Sequence, residues 1–139
     1  MEYRRFNDTV ILRIDRGEEI IETVKKVAEQ EHIRLASVEA LGATDDFTVG
    51  VYDLAAKRYD QKTFSGPHEI VSLTGTITEK DGAVYQHLHL SAANASCEVF
   101  GGHLNRAAVS ATCEMVIRII DGAVDRSTDP ETGINLIRF

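Results

Sequence analysis

No apolar run in the chain exceeds a few residues; Ile20-Ile21 and Ile119-Ile120 are typical. A bilayer-spanning helix needs about 20 apolar residues in a row, so none is expected. The segment Met1 to Phe6 is followed by Asn7-Asp8 and not by an apolar stretch, so a secretory signal is not expected and the default address is cytoplasmic. Basic charge is scarce too: 15 Lys and Arg stand against 22 Asp and Glu, a net charge of −7. The densest basic groups, Arg4-Arg5, Lys25-Lys26 and Lys57-Arg58, are only pairs, and no basic stripe forms. This balance repels a polyanion and argues against non-specific nucleic-acid binding. Only two cysteines occur, Cys97 and Cys113, both in segments read as apolar. Buried, reduced thiols are expected rather than a disulfide. Internal repeats, low-complexity linkers, a nucleophile triad, a phosphate loop and a dinucleotide fingerprint are all absent.

What is present fits one domain over residues 1–139, with 43% hydrophobic and 27% charged residues. Thr9 to Ile14 is rich in β-branched residues and reads as a strand. A helix follows to about Glu31, with Asp15 as its cap, Glu18 completing a capping box, and Ile20, Ile21, Val24, Val27 and Ala28 as its apolar stripe. His32 ends it, where a cation favours the dipole. Ile33 to Thr44 suggests a strand packed closely on other backbone near Gly42. Further strands are expected at 47–52, 58–64, 69–78, 83–91, 95–100 and 113–120, with an Asp81-Gly82 hairpin turn. Ser127 to Gly133 reads as a loop, and Ile134 to Phe139 as a last strand. The fold class is therefore α/β of the α+β kind, a mostly antiparallel twisted sheet with one main helix packed on it. The other sheet face is left needing cover, which a second subunit can supply.

The most informative chemistry is a histidine cluster. Strand alternation puts Tyr85, His87, His89 and Ser91 on one face, and Leu88 and Leu90 on the other. Two imidazoles then project side by side, as they do where a strand presents two nitrogens to a metal. The same pair also suits a solvated strand face. His103 follows Gly101-Gly102. With a turn centred near Asn94, His87 lies opposite Phe100, and His103 falls about 10 Å beyond on a flat ladder. It then reaches the pair only if the diglycine curls it back, or if it comes from a neighbouring subunit.

Neutral imidazole suits Zn, Cu, Fe or Ni, and a divalent transition metal, zinc foremost, is the expected cofactor. Three ligands with an open position describe a catalytic or ligand-binding centre, and a fourth ligand describes a structural one. Candidates for the fourth are Glu69, Glu98, Glu114 and Cys97, with at most one of Cys97 and Glu98 facing the histidines. His68 has no assigned role.

The order Gly66-Pro67-His68-Glu69-Ile70-Val71-Ser72-Leu73-Thr74-Gly75, then His87-Leu88-His89, Gly101-Gly102-His103-Leu104 and Thr112-Cys113-Glu114-Met115-Val116, resembles the plants-and-prokaryotes conserved (PPC) domain. Arg4, Val10 to Gly17 and Ser37 to Ala43 extend the match over almost the whole chain. The resemblance implies an α/β domain that assembles as a homotrimer, with the Gly-Gly-His-Leu segment and the His-x-His strand near a subunit boundary. Plant members attach AT-hook peptides and contact transcription factors. This chain has no Arg-Gly-Arg-Pro hook and carries Pro67 where plant members have arginine, so the plant partner surface is not expected here.

Three functions follow. The first is a homotrimeric metal-binding module for interaction or regulation, with a protein partner or small-molecule ligand. The second is a zinc-type enzyme acting on a small molecule, with Glu69, Glu98 or Glu114 as catalytic proton acceptor. The third is DNA binding, which the acidic balance opposes.

Overall fold

The computed structural model describes residues 1–139. In chain order the elements are β1 (Glu2–Phe6), β2 (Thr9–Asp15), α1 (Ile20–Gln30), β3 (Ala36–Asp53), β4 (Arg58–Lys80), β5 (Ala83–Ala93), β6 (Val99–Ile119), β7 (Asp125–Thr128) and β8 (Asn135–Arg138). Every ladder is antiparallel, in the order β1-β2-β6-β3-β4-β5, and β5 also pairs with β6. That extra ladder closes β6, β3, β4 and β5 into a ring. No helix is long and apolar enough to cross a membrane.

Several short expected strands merge into long bent ones. β3 joins the segments expected at 33–44 and 47–52, and β4 joins 58–64 with 69–78. Bulges between Ala40 and Gly42 and between Thr44 and Asp46 let β3 turn without leaving the sheet, because an extra residue bends a strand where a loop would end it. The backbone does pass closely at Gly42, against Thr112 and Cys113. The Asp81-Gly82 hairpin forms as expected, with φ of 53° and 78°, the pair of positive angles a two-residue turn of this hand requires.

The helix differs at its start. Its cap is Glu19, whose Oε2 accepts from the Glu22 amide at 2.7 Å while Oε1 accepts from the Ala107 amide at 2.9 Å. One carboxylate thus caps α1 and pins it to β6. Glu18 does reach back to the Asp15 amide, at 2.9 Å, but this closes a turn ahead of the helix. Ile20, Val24, Val27 and Ala28 are buried against Leu12, Ile14, Leu88, Leu90, Met115 and Ile117. The opposite sheet face leaves Ile11, Leu41 and Val71 exposed.

Other expectations are corrected. The strand placed at 95–100 is mostly a turn: Asn94 Oδ1 accepts from the Ser96 and Glu98 amides, at 2.9 and 3.0 Å, and Cys97 takes φ of 60°. Cys97 is therefore exposed, whereas Cys113 is buried, and both are free thiols. β1 was not foreseen, and neither was β7, which takes Ser127 and Thr128 out of the expected loop and pairs with β8.

β6 changes character along its length. In the second part of β6 the odd-numbered Ala107, Val109, Cys113, Met115 and Ile117 face the core, with Ala111 exposed where the register to β3 shifts, but before that Leu104 does. Thr48 pairs with Arg106 and Val49 with Leu104, so Asn105 is an extra residue that exchanges the two faces. His103 consequently points away from the core.

Candidate metal centre

His87 and His89 lie on the outer face of β5, as alternation requires, because Leu88 and Leu90 between and beside them are buried. Across β4 they stand opposite Thr76 and Thr74. On the other edge His89 stands directly opposite His103 of β6. This overturns the expected register: Phe100 pairs with Ala92 and not with His87, because the turn spans Asn94 to Glu98 and is centred later than Asn94. His103 meets the pair within one chain, with no curl of the backbone and no neighbouring subunit.

The diglycine serves a different purpose from the one expected. Neither Gly101 nor Gly102 takes a positive φ. A Cβ on Gly101 would lie 2.6 Å from the Leu90 carbonyl oxygen, and one on Gly102 would lie 2.7 Å from that of Gly50. On the far side of β5 a Cβ at Gly75 would lie 2.0 Å from the His87 carbonyl oxygen. Bare backbone on both sides lets β5 be squeezed between β4 and β6 where the ring closes, and this fixes the histidine pair.

The ring centroids are 5.1 Å apart for His87 and His89, 5.2 Å for His87 and His103, and 5.7 Å for His89 and His103. One nitrogen from each comes within 4.8 Å of the other two. Tetrahedral zinc with Zn–N of about 2.0–2.1 Å sets its nitrogens roughly 3.4 Å apart, within reach of side-chain rotation from this arrangement. The chemistry of the donors fits as well. His103 Nδ1 is fully enclosed and has no hydrogen-bond partner. Burial, then the neighbouring His87 and His89, push the His103 pKa down to about 4. Burial also lowers that of His87, followed by His89 and Arg126. Both imidazoles are neutral at pH 7, the form that binds metal.

Around the three histidines stand residues that alternation alone does not assemble. The Tyr59 ring lies 4.9 Å from that of His103, in the space left by Gly50, which pairs with His103. Burial, then Tyr85 and Tyr52, raise the Tyr59 pKa. The Arg126 guanidinium sits 4.7 Å above the Tyr85 ring. Its Nε donates to Thr78 Oγ1 at 2.8 Å, Nη1 to the Asn135 carbonyl at 2.8 Å and Nη2 to Thr76 Oγ1 at 3.5 Å. Tyr85 was legible as a member of the face, but Tyr59 and Arg126 were not. The threonines at 74, 76 and 78 are the sequence signal that β4 lines this face.

None of the proposed fourth ligands joins the cluster. Glu114 is exposed on the outer face of β6, opposite Arg13 and Leu41. It lies eleven positions along β6 from His103, beyond the bulge at Asn105, and is not among the clustered donors. Glu98 belongs to the turn, where its Oε2 accepts from Asn94 Nδ2 at 2.8 Å. Glu69 is exposed and pairs with Ala43 and Ala93, beyond the end of the histidine ladder. Cys97 shares the turn with Glu98 and faces solvent. His68 is a buried aromatic-cluster residue, edge-on to Phe47 and Phe64, with Nδ1 against the Gly66 carbonyl at 2.7 Å.

Comparison with known proteins agrees with this architecture. A metal-containing protein from Archaeoglobus fulgidus is 32% identical over 97% of this chain and 95% of its own, with a TM-score of 0.86. A candidate DNA-binding protein from Bacteroides thetaiotaomicron is 28% identical over 99% and 96%, with a TM-score of 0.96. A plant- and prokaryote-conserved protein from Pyrococcus horikoshii is 26% identical over 99% and 94%, with a TM-score of 0.87. No curated protein matches. The model of the Plants and Prokaryotes Conserved domain matches residues 1–121, and the chain belongs to that family.

Proposed function

We propose that this chain is a metal-binding module that holds a divalent transition metal, zinc foremost, on His87, His89 and His103. The observation that carries the reading is the pairing of His89 with His103, which gathers three donors within 4.8 Å. The orphaned His103 Nδ1 supports it, since an unsatisfied buried polar group costs about 1–3 kcal/mol. The Archaeoglobus relative, a metal-containing protein, is consistent with it. With no carboxylate or thiol in the cluster, three imidazoles leave a coordination position open, which suits ligand binding rather than a purely structural ion. Elemental analysis of purified and zinc-reconstituted protein tests this. Stoichiometric metal, lost in His103→Ala, is expected; no metal after reconstitution sinks the reading.

The module works as a homotrimer with an interaction or regulatory role. Support comes from Ile11, Leu41 and Val71, exposed on the sheet face that α1 does not cover. Each is about half exposed, so covering it is worth about 1 kcal/mol. Sedimentation equilibrium should give three times the 15.4 kDa chain mass, and a monomer would overturn the assembly. The open position also favours a second reading, a metal-dependent enzyme acting on a small molecule. It lacks the glutamate proton acceptor first envisaged, because Glu69, Glu98 and Glu114 all lie elsewhere. A panel of small esters, phosphates and amides without metal-dependent turnover would remove it. DNA binding, suggested by the Bacteroides relative, faces the net charge of −7, and a duplex titration showing no salt-dependent affinity would exclude it.

A further inference from the structure

Arg126 is the one buried arginine of the chain, 6% exposed. Its partners are all neutral: two threonine hydroxyls, a backbone carbonyl and the face of Tyr85. No carboxylate lies within ion-pairing distance, although Arg5, Arg13, Arg34, Arg58, Arg106 and Arg138 each have one. Buried charges are ordinarily paired, because leaving water costs several kcal/mol per ion. Five N–H groups make three hydrogen bonds here, so two donors remain.

The position of this charge matters more than its burial. Thr76, which receives Nη2, stands directly opposite His87, and Tyr85, under the guanidinium, precedes His87 by two residues on the same face. The guanidinium therefore lies one residue pair along from the three imidazoles. A divalent ion on neutral histidines would bring two more positive charges to a face where no acidic side chain answers them. Tyr59 and Tyr85 supply aromatic walls, which suit a carbon skeleton better than an inorganic ion.

We propose that the centre takes a small organic carboxylate, bound at the open metal position and held there by the charge of Arg126. This rests on the metal-binding reading. The cation sets the sign of the ligand, and the tyrosines set its size. Arg126 acts as a positioning and selecting residue, and the histidines remain the metal ligands.

The test uses full-length protein loaded with Co²⁺, whose visible absorption reports changes in coordination, with glycolate as probe and glycolamide as its neutral counterpart. Glycolate is expected to shift the spectrum saturably, and glycolamide to bind at least about tenfold more weakly. Arg126→Gln should weaken glycolate by about tenfold or more with Co²⁺ stoichiometry unchanged, while Arg126→Lys keeps most of the affinity. Arg126 also ties β7 to β4, so circular dichroism accompanies each variant. Arg126→Met, which retains an apolar contact with Tyr85, replaces the glutamine if that unfolds. Equal binding of glycolate and glycolamide, or unaltered glycolate binding in a folded neutral variant, overturns the proposal. Failure to take up Co²⁺ at all overturns the metal reading instead.

Discussion

The two ends of β6 obey different rules. From Cys113 to Ile117 the strand lies in the core that α1 covers, and its register follows from apolar alternation: a slip by one residue would expose Cys113, Met115 and Ile117 together. From Val99 to His103 it meets β5, and there bare backbone and a five-residue turn set the register. One end is held by what its side chains bury. The other is held by where side chains are missing, and that is the end that carries His103, the proposed metal ligand.

The sharpest way to break this contrast is Gly75→Val. A side chain there meets the His87 carbonyl, and we expect a loss above about 3 kcal/mol in chemical denaturation together with loss of metal uptake. Met115→Ala, at the core end, should cost about 2–5 kcal/mol and leave metal stoichiometry intact. His103→Ala reverses that outcome: metal uptake disappears, while the stability of the metal-free protein changes by less than about 1 kcal/mol, since the lost side chain includes an unpartnered buried nitrogen. Metal uptake that survives in Gly75→Val, or is lost in a folded Met115→Ala, would undo the division of β6 into two ends.

The effect of pH is smaller and has a definite sign. His103 titrates near 4 in the folded protein against an ordinary 6.5, and burial likewise lowers His87. Between those values the unfolded chain takes up protons that the folded chain refuses, so their contribution is complete above pH 6.5 and is lost as pH falls through about 4. The melting temperature of metal-free protein should fall over that window, less so in His103→Ala. Metal should be retained below the pH at which free imidazole releases it. The smallest effect belongs to Glu114→Gln, expected within about 0.5 kcal/mol of the parent and with full metal content.

These differences follow what a sequence can express. Burial is written as periodicity, so the stripe on α1 and the outward face of His87 and His89 were legible. The helix start was missed because Glu19 gains its role from Ala107, far along the chain. The register of His103 was missed because its turn hinges on Asn94 side-chain bonds and on Cys97 at positive φ, a conformation that cysteine rarely advertises. The bulge at Asn105 has no composition signal either, yet it decides that His103 faces out. Arg126 lies in a four-residue strand within a polar stretch, where alternation has no length in which to show.

That short strand also lies past residue 121, where the family match ends. The three histidines lie within the residues that the family model matches and Arg126 lies just beyond them, while the solved relatives cover 97–99% of this chain. In the metal-binding reading, the proposed ion rests on β5 and β6, and the charge that selects its ligand rests on β7. Changing Arg126 alone is then a way to alter what the site accepts while the ion's own address stays fixed.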